Sequence, residues 1–295
     1  MLRIKPGDIP HPKLHQYLLG SIAPRPIAFA STMDAEGNPN LSPFSFFNVF
    51  GVNPTTLIFS PSRRGRDGST KNTLDNLKVV PEVVINVVTY EMVNQASLAS
   101  TEYPAGVDEF VKAGFTKVPS ELISPYRVKE SPVQMECRVR DIIGTGDGGG
   151  AANLVVCEIL LMHIHEDVLG EDNMIDQDKI MLVGRLGKAH YVRAFGESLF
   201  EVEKPLQKLG IGIDALPDHI RLSKTLTGNE LGQLGNVEKL PDPEELVVFR
   251  ESPEISELLE TICDVSAELT KLARTYLQTG HPYEALKVLM VAGKI

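Results

Sequence analysis

The sequence has few of the residues from which catalytic and metal sites are usually built. Its three cysteines, Cys137, Cys157 and Cys263, are widely separated, and no CxxC or Cys/His ligand spacing occurs. This usage predicts reduced, mostly buried thiols in a cytoplasmic protein and argues against a zinc site. No Ser/His/Asp constellation or paired-carboxylate motif stands out, which counts against a hydrolase, and we assign no catalytic side chain.

Long apolar runs and a broad basic surface are also missing. No stretch approaches the length of a membrane span, and the N-terminal segment has no signal-peptide core. Asp and Glu outnumber Lys and Arg by 39 to 29, giving a formal net charge of -10 at pH 7. Nucleic-acid binding through counterion release needs a broad basic face. We therefore expect a cytoplasmic protein with neither a membrane nor a nucleic acid as its partner.

One short segment runs against the acidic balance. Residues 60–73 (SPSRRGRDGSTKNT) carry Arg63, Arg64, Arg66 and Lys71 with a single acid, Asp67. Hydroxyls and glycines fill the rest of the segment, and they supply short donors and a backbone that can turn toward an anion. Ser69 and Thr70 are both suitable helix N-caps, which would add the positive end of a helix dipole. A phosphate site and a solvated basic loop both remain open from these residues alone.

The chain is long enough for one large domain or for one domain with an appended lobe. Up to about residue 200, strand-length apolar runs alternate with turns and short helical pieces, which favours a barrel or sandwich over a parallel sheet. The predicted strands are 27–32, 55–60, 82–89, a run of alternating polarity over 133–140, and 154–165. Residues 34–38 (DAEGN) have the composition of a hairpin turn.

The character changes after about residue 200, where we predict a mostly helical C-terminal extension over 201–295. Thr227 and Glu230 have the spacing of a capping box. Apolar residues then recur at helical spacing until Gly280, and a second helix follows Pro282. We expect this stripe to pack onto the barrel or a partner subunit; it comprises Ile255, Leu258, Leu259, Ile262, Val265, Leu269, Leu272 and Tyr276.

Several blocks of the first 200 residues, in order, resemble one known family. They are GSIAPRPIAFAST (20–32), GNPNLSPFSFFNVFGVNPTTLIFSPS (37–62), STKNT (69–73), VVINVV (83–88), AGVDEFVKAGF (105–115), ESPVQMECRV (130–139) and RLGKAHY (185–191). The sequence is similar to the flavin reductase-like FMN-binding split-barrel family, which includes flavoredoxin-like proteins. The resemblance spans roughly residues 9–193. It implies a mainly β (α+β) protein over 1–200, a split β-barrel that binds FMN noncovalently at a homodimer interface.

The resemblance also implies which residues hold the cofactor. The aromatic stretch would line the isoalloxazine ring, mainly through backbone groups, with Pro43, Ser45, Phe46, Phe47 and Asn48. The basic segment would contact the phosphate and ribityl chain with Ser60, Ser62, Arg63, Lys71, Asn72 and Thr73. The family pattern at 71–73 is Lys-Asp-Thr, so Asn72 replaces a carboxylate beside the phosphate and leaves the role of that acid open. The residue types agree independently, since guanidinium groups and hydroxyls suit phosphate, and phenylalanines suit either a flat ring or the core.

The implied activity is that of an FMN-dependent oxidoreductase, in which electrons pass from a nicotinamide or protein donor through bound FMN to an acceptor. NADH, NADPH, ferredoxin, ferric chelates, free flavin and a disulfide all remain open as donors or acceptors. An alternative is a non-enzymatic FMN-binding electron carrier or flavin-storage protein. An enzyme resembling pyridoxamine-phosphate oxidase is a further alternative, which the RPIAF and STKNT blocks disfavour.

Three other features are interpreted as structural. Residues 144–150 (GTGDGGG) lie between two predicted strands with no helix after them, so we expect a hairpin loop and not a dinucleotide fingerprint. His163 and His165 share one face of a strand but lack a third ligand, and we expect strand histidines or a dimer contact. His190 and Tyr191 follow a turn, where the family often has aromatic residues near the flavin; core packing is equally open.

Overall fold

A computed structural model describes residues 1–205, 208–261 and 265–293. Ile262 and Cys263, which the sequence analysis named, lie outside these described residues. The chain divides into two compact units, Met1–Phe200 and Glu201–Ile295. Within the described residues, no helix is long and apolar enough to cross a membrane.

The first unit is built on a seven-stranded antiparallel sheet in the order β2-β1-β5-β8-β9-β4-β3. Its strands are β1 (Ala28–Met33), β2 (Pro39–Phe44), β3 (Phe47–Val52), β4 (Thr55–Phe59), β5 (Glu82–Asn86), β8 (Val133–Gly144) and β9 (Asn153–Ile164). Two short hairpins, β6 (Lys117–Val118) with β7 (Arg127–Val128) and β10 (Val183–Arg185) with β11 (Tyr191–Arg193), complete the strands. The predicted strands are all present, and β-branched and apolar residues dominate them because these fill a pleated, buried surface.

The sheet closes into a barrel between its two edge strands. β2 and β3 are joined by only Ser45 and Phe46, yet they stand at opposite edges of the sheet. Two residues can span the edges only if the sheet curls until those edges meet. At the closure the backbone N–H of Ser60 donates to the carbonyl of Phe46 at 2.9 Å. The split-barrel fold expected from the sequence is therefore observed.

Five helices accompany the barrel in this unit. They are α1 (His11–Ser21), α2 (Asn72–Val79), α3 (Val93–Leu98), α4 (Glu109–Ala113) and α5 (Gln177–Ile180). The barrel interior is filled by residues from alternate strand positions, among them Ala28, Phe44 and Phe59. A second apolar cluster, including Phe29, Leu41 and Phe110, packs the outer face of β1 and β2 against α3 and α4. The two faces of β1 are thus both buried, which explains its continuous apolar run.

The second unit is helical, as the sequence predicted. Its helices are α6 (Asp218–Arg221), α7 (Gly228–Gly235), α8 (Pro243–Arg250), α9 (Pro253–Thr261), α10 (Val265–Gln278) and α11 (Pro282–Ala292). The predicted capping box begins α7, with the Thr227 hydroxyl accepting from the Glu230 N–H and the Glu230 carboxylate accepting from the Thr227 N–H.

The apolar stripe of α9 and α10 packs inside this second unit. Ile255 and Leu269 are fully buried in a cluster with residues of α6, α7, α8 and α11, such as Leu234 and Leu286. This differs from the expectation that the stripe packs onto the barrel or a partner. The neighbouring short helices contribute enough apolar side chains to form a core of their own, a pattern that helical periodicity does not reveal.

Candidate functional site

The barrel closure brings the two groups of predicted cofactor residues together. Pro43 is paired with Phe29 at the end of β2, and Phe47 is paired with Phe59 at the start of β3. Ser60, at the end of β4, is bonded to the Phe46 carbonyl. The aromatic stretch and the start of the basic loop are therefore neighbours in space, although Ser60 comes 12 positions after Asn48 in the sequence.

The phenylalanines of this stretch do not share one environment. Phe44 points into the barrel and lies 5.5 Å from Phe59 between ring centroids. Phe46 is exposed, and its ring meets the edge of His15 from α1 at 6.3 Å. Phe47 is half-buried against the barrel core, and the Asn48 side chain is exposed and accepts from the Val49 N–H at 2.9 Å. Phe46 and Asn48 are thus exposed to a ligand, Phe47 is partly exposed, and Phe44 belongs to the core.

The basic loop packs against the hairpin loop that joins β8 to β9. The Arg63 N–H donates to the Ala151 carbonyl at 2.9 Å, and the Gly150 N–H donates to the Arg63 carbonyl at 3.1 Å. A Cβ added at Gly149 would stand 2.7 Å from the Gly65 carbonyl oxygen, so the close approach requires glycine. The glycine-rich segment is a hairpin loop as predicted, and it supports the basic loop.

Two carboxylates from outside the basic loop form ion pairs with its arginines. Arg64 and Arg66 both pair with Glu102, at 3.3 and 2.8 Å, and Arg63 pairs with Asp147 at 3.2 Å. Asp67 is the single acid within residues 60–73, and Glu102 and Asp147 are too distant along the chain to be predicted as partners. The cluster is therefore less unbalanced than its sequence indicates.

Two features of the loop still suit an anion. Lys71 pairs with no carboxylate among the described residues; its ammonium nitrogen instead lies over the Phe44 ring, 5.2 Å from the centroid. Burial lowers the pKa of Lys71, and the nearby Arg64 lowers it further, while Glu102 acts in the opposite direction. The buried Nε of Arg63 has no hydrogen-bond partner. A phosphate would supply the missing charge and acceptor, so these residues fit one.

The helix that follows begins differently from the prediction. Lys71 is the N-cap residue of α2, not Ser69 or Thr70. The Ser69 hydroxyl donates to Asp67 at 2.6 Å, and the Thr70 hydroxyl donates to Asp75 at 3.0 Å. The hydrogen bonds from Ser69 lower the pKa of Asp67 to about 2. Asp67 and Asp75 thus hold the two hydroxyls that were predicted caps.

The remaining predicted contacts have partners within the protein. The Thr73 hydroxyl is buried and donates to Asn40 at 2.8 Å, and Asn40 donates to Glu109 at 3.0 Å. The Ser60 hydroxyl accepts from the Asn153 N–H at 3.2 Å. Two others remain accessible: Ser62 is half-buried, and Asn72 makes a single bond of 3.4 Å to the Tyr103 carbonyl.

Arg25 is a residue near the site that sequence reasoning did not select. It precedes β1, is only 6% exposed, and its Nε lies 3.4 Å from the hydroxyl oxygen of Ser45. A close approach of the β10 backbone positions it, since an added Cβ at Gly184 would stand 2.7 Å from Pro24. The sequence feature that could have identified Arg25 is its position between Pro24 and Pro26, directly before an apolar strand.

A cavity of about 500 Å³ lies between α1 and the turn from β10 to β11. It is lined by Lys13, Gln16, Tyr17, Gly20, Leu186, Gly187, Lys188 and His190. His190 therefore faces a cavity, whereas Tyr191 stacks on the Arg185 guanidinium at 4.6 Å. Tyr17 and Leu186 give the lining apolar surface, and Lys13 and Lys188 give it two cations, so the cavity suits a partly apolar anion.

The two histidines predicted to share a strand both have partners within the protein. His163 lies on β9, 2.7 Å from the buried carboxylate of Glu136. His165 follows the last residue of β9, contrary to the prediction, and lies 3.3 Å from Asp167. Among the residues that the structure describes, no cluster of His, Cys, Asp and Glu could hold a metal ion.

Comparison with known proteins identifies the class. A model of the family "Flavin reductase like domain" matches residues 19–183. The chain therefore belongs to the flavin reductase-like family, as the sequence motifs indicated. This family supports a flavin cofactor and flavin-related oxidoreduction for the chain.

Two uncharacterised relatives match most of this chain. One from Aquifex aeolicus is 35% identical over 189 residues, which are 64% of this chain and 94% of the relative. Another from Halalkalibacterium halodurans is 32% identical over 206 residues, which are 69% of this chain and 97% of the relative. Nearly the whole length of each relative is thus matched by about two thirds of this chain.

Three solved structures extend the comparison to the fold. Nitrilotriacetate monooxygenase component B from Bacillus cereus is 29% identical, with a TM-score of 0.64 over 68% of this chain and 98% of that one. The 2-nitrobenzoate 2-nitroreductase of Pseudomonas fluorescens is 26% identical, with a TM-score of 0.59 over 71% of this chain and all of that one. Flavoredoxin of Desulfovibrio vulgaris, at 20% identity and a TM-score of 0.51, shares the fold.

Proposed function

We propose that this protein is an FMN-dependent oxidoreductase that passes electrons from a nicotinamide or protein donor through bound FMN to an acceptor. One observation carries the choice of cofactor: Lys71 pairs with no carboxylate of the described residues and lies over the Phe44 ring, and the buried Nε of Arg63 has no hydrogen-bond partner. Both groups lie in the loop that follows β4, and the first residue of that loop, Ser60, is bonded to the crossover at Phe46. An anionic phosphate on a flat ring system complements both features.

The proposed contacts fall on two sides of the barrel closure. The ring would be lined by Pro43, Ser45, Phe46, Phe47 and Asn48. The phosphate and ribityl chain would be held by Ser60, Ser62, Arg63, Lys71, Asn72 and Thr73. Ser60 and Thr73 act chiefly by fixing the backbone, since their hydroxyls already bond to Asn153 and Asn40.

The charge distribution favours FMN over FAD. Glu102 and Asp147 pair with the loop arginines, and their side chains are 46% and 98% exposed. One phosphate can meet Lys71 and Arg63, but a second phosphate placed farther out would approach these two carboxylates. Like charges in proximity cost free energy. The loop therefore suits a terminal phosphate better than a pyrophosphate.

Bound FMN would supply the redox chemistry by accepting a hydride or electrons and passing them on. The protein binds and orients the cofactor, and no side-chain acid or base is assigned. Its described cysteines do not contribute thiolates, because burial raises the pKa of Cys157 to about 12 and that of Cys137 well above its usual range.

The cavity beside α1 is the proposed site of a small donor or acceptor. Its lysines, Lys13 and Lys188, suit the phosphates of NADH or NADPH or the carboxylate of an organic acceptor. By their names, the two similar solved proteins act in nitrilotriacetate oxidation and in 2-nitrobenzoate reduction. We extend to this chain only the shared feature, electron transfer to or for a small organic anion.

We further propose that the protein is a homodimer. β3 is an edge strand of the sheet, and Val49, Phe50 and Val52 are 55%, 65% and 85% exposed on it. A contiguous apolar surface of this kind beside the cofactor residues is what a two-fold interface would bury.

Two measurements test the proposal. Flavin released by heating the purified protein should run as FMN on chromatography, and release of FAD alone would contradict the assignment. The protein should then be mixed anaerobically with NADH and NADPH while flavin absorbance is followed. Bleaching by either nucleotide supports a nicotinamide-linked enzyme. A flavin that stays oxidised with both nucleotides but accepts electrons from a reduced ferredoxin would indicate a protein donor, and a flavin that none of these donors reduces would favour the flavin-storage alternative.

A further inference from the structure

Arg25 is a buried cation whose donors are directed at neutral groups. One terminal nitrogen donates to the carbonyls of Leu19 and Ile22 at 2.9 and 2.6 Å, and the other donates to the Leu186 carbonyl at 2.9 Å. The remaining donor, Nε, is directed at the hydroxyl of Ser45 at 3.4 Å. The guanidinium therefore joins α1, the β10–β11 turn and the barrel crossover.

No carboxylate among the described residues pairs with Arg25, and the charge that acts on it is another cation, Arg185. Burial and Arg185 together lower the pKa of Arg25. Two partly buried arginines of this unit do have acidic neighbours, Arg64 with Glu102 at 3.3 Å and Arg127 with Glu136 at 3.8 Å. On a chain with a net charge of -10, a buried arginine without an acid is unusual.

A buried charge lowers the stability of the folded protein unless an opposite charge lies near it. The path from Arg25 to a ligand runs through Ser45. A hydroxyl has one proton to donate and lone pairs to accept, so Ser45 can accept from Arg25 and still donate outward. Hydrogen bonds in such a chain polarise one another, which strengthens the outward bond when its acceptor is anionic.

We propose that Arg25 is a positioning residue that acts through Ser45 to favour the anionic reduced state of the bound flavin over its neutral oxidised state. The inference rests on the proposed function, which places Ser45 against the ring. A hydride brings two electrons and one proton to the neutral ring, so the reduced flavin carries one negative charge. The field of Arg25 and the hydroxyl of Ser45 would stabilise that charge, which raises the reduction potential.

The first test uses the unaltered holoprotein. Its two-electron potential is measured by anaerobic dye-linked reduction across a pH series, with free FMN in parallel. The slope of the reduction potential against pH changes at the pH where reduction stops adding two protons to the flavin and adds only one. In the protein this change should lie at least one pH unit lower than in free FMN. A change at the same or a higher pH would overturn the proposal.

Three neighbouring groups must be separated from the effect of Arg25. His15 on α1 contacts Phe46, His190 lies in the β10–β11 turn, and the Arg185 guanidinium on β10 acts on Arg25. The pH series is therefore repeated with His15→Gln and His190→Gln. The change of slope should remain at its lowered pH in both variants. If it returned to the pH of free FMN in either variant, the effect would belong to that histidine and not to Arg25.

The second test separates charge from hydrogen bonding. Arg25→Gln should weaken binding of reduced FMN about tenfold more than binding of oxidised FMN, which lowers the two-electron potential by about 30 mV. Arg25→Lys keeps the positive charge, so its reduction potential should stay close to that of the unaltered protein. Arg193→Gln is the control, since Arg193 lies on β11, is exposed and stacks on Tyr90, and makes no contact with Ser45 in the described structure. Equal binding losses for both flavin states in Arg25→Gln would show a structural role and overturn the proposal.

A double-mutant cycle tests the path through Ser45. Ser45→Ala should lower the potential in the same direction, and the combination with Arg25→Gln should shift it by less than the sum. Additive shifts would contradict action through Ser45. If Arg25→Gln does not fold, the pH series on the unaltered protein still decides the proposal. Protein without any flavin would instead contradict the proposed function itself.

Discussion

The ammonium nitrogen of Lys71 lies 5.2 Å from the centre of the Phe44 ring, and no carboxylate of the described chain pairs with it. Phe44 belongs to the barrel core, so the lysine is held at the boundary between that core and the basic loop. The adjoining arginines have their own acids, Glu102 and Asp147. The cation available to a ligand is therefore at the N-terminus of α2, where partial positive charge of the helix also favours an anion.

Replacing Lys71 and Arg63 together with alanine should weaken FMN binding about a hundredfold and riboflavin binding far less. Each charge-assisted hydrogen bond to phosphate contributes roughly 1.5–3 kcal/mol, and about 1.4 kcal/mol corresponds to a tenfold change in affinity. Fluorescence titration of the apoprotein with both flavins measures the difference.

Lys78→Ala is the matched control, because Lys78 lies on the same helix but is exposed and adjacent to Asp75 at 4.0 Å. It should leave both affinities nearly unchanged. Equal losses for FMN and riboflavin in the double variant would show that the loop does not contact the phosphate.

The lowered pKa of Lys71 predicts how FMN binding depends on pH. Phosphate binding requires the charged ammonium, so affinity falls as pH rises through the pKa of the free protein's lysine. Because burial and Arg64 lower that pKa, the loss should begin below the range of an ordinary lysine, about 10.4. Lys71→Arg should retain affinity to higher pH. Riboflavin, titrated in parallel, corrects for ionisation of the ring, and identical profiles in both proteins would contradict the assignment.

Much of this architecture follows from the sequence because strands and capped helices leave local patterns. The alternation over β8 and the capping box from Thr227 to Glu230 are examples. The crossover at Ser45 and Phe46 leaves no such pattern, since the apolar run continues across it and only barrel closure separates the two strands. Neither Glu102 nor Asp147 could be placed against the loop for a similar reason. Their partnership depends on which distant loops the barrel brings together.

Arg25 and Lys71 show why a residue's type predicts less than its surroundings. Lys71 belongs to a segment rich in cations, which marks it in the sequence, whereas Arg25 has no other charged residue near it in the sequence. Arg25 became relevant only when the barrel placed Ser45 beside it. The apolar stripe of α9 and α10 illustrates the same limit, since its spacing predicts a buried face but not which residues cover that face.

The exposed apolar side chain of Phe50 predicts coupled dimerisation and cofactor retention. Phe50→Glu would place a charge in the proposed interface, which should shift the protein toward monomer and increase the rate of flavin loss on dilution. A ligand that binds only the dimer stabilises it by mass action. Sedimentation velocity over a dilution series, with and without FMN, measures both effects.

Val111→Glu is the control, since Val111 is similarly exposed, at 74%, but lies on α4 and away from β3. It should leave the association state unaltered. A tight monomeric holoprotein, or dimers of unchanged stability in Phe50→Glu, would contradict the interface.

The first unit should fold and bind FMN without the second. All predicted cofactor residues lie within Met1–Phe200, and the relative from Aquifex aeolicus is 94% covered by a match of 189 residues. The apolar stripe of α9 and α10 is buried in the core of its own unit, so its removal takes its covering residues with it. A chain ending at Phe200 should therefore give a cooperative unfolding transition that FMN raises in midpoint, with FMN affinity within about threefold of the full chain. A truncated protein that aggregates or loses FMN, while the full chain binds it, would show that the C-terminal extension is needed to complete the barrel or its site.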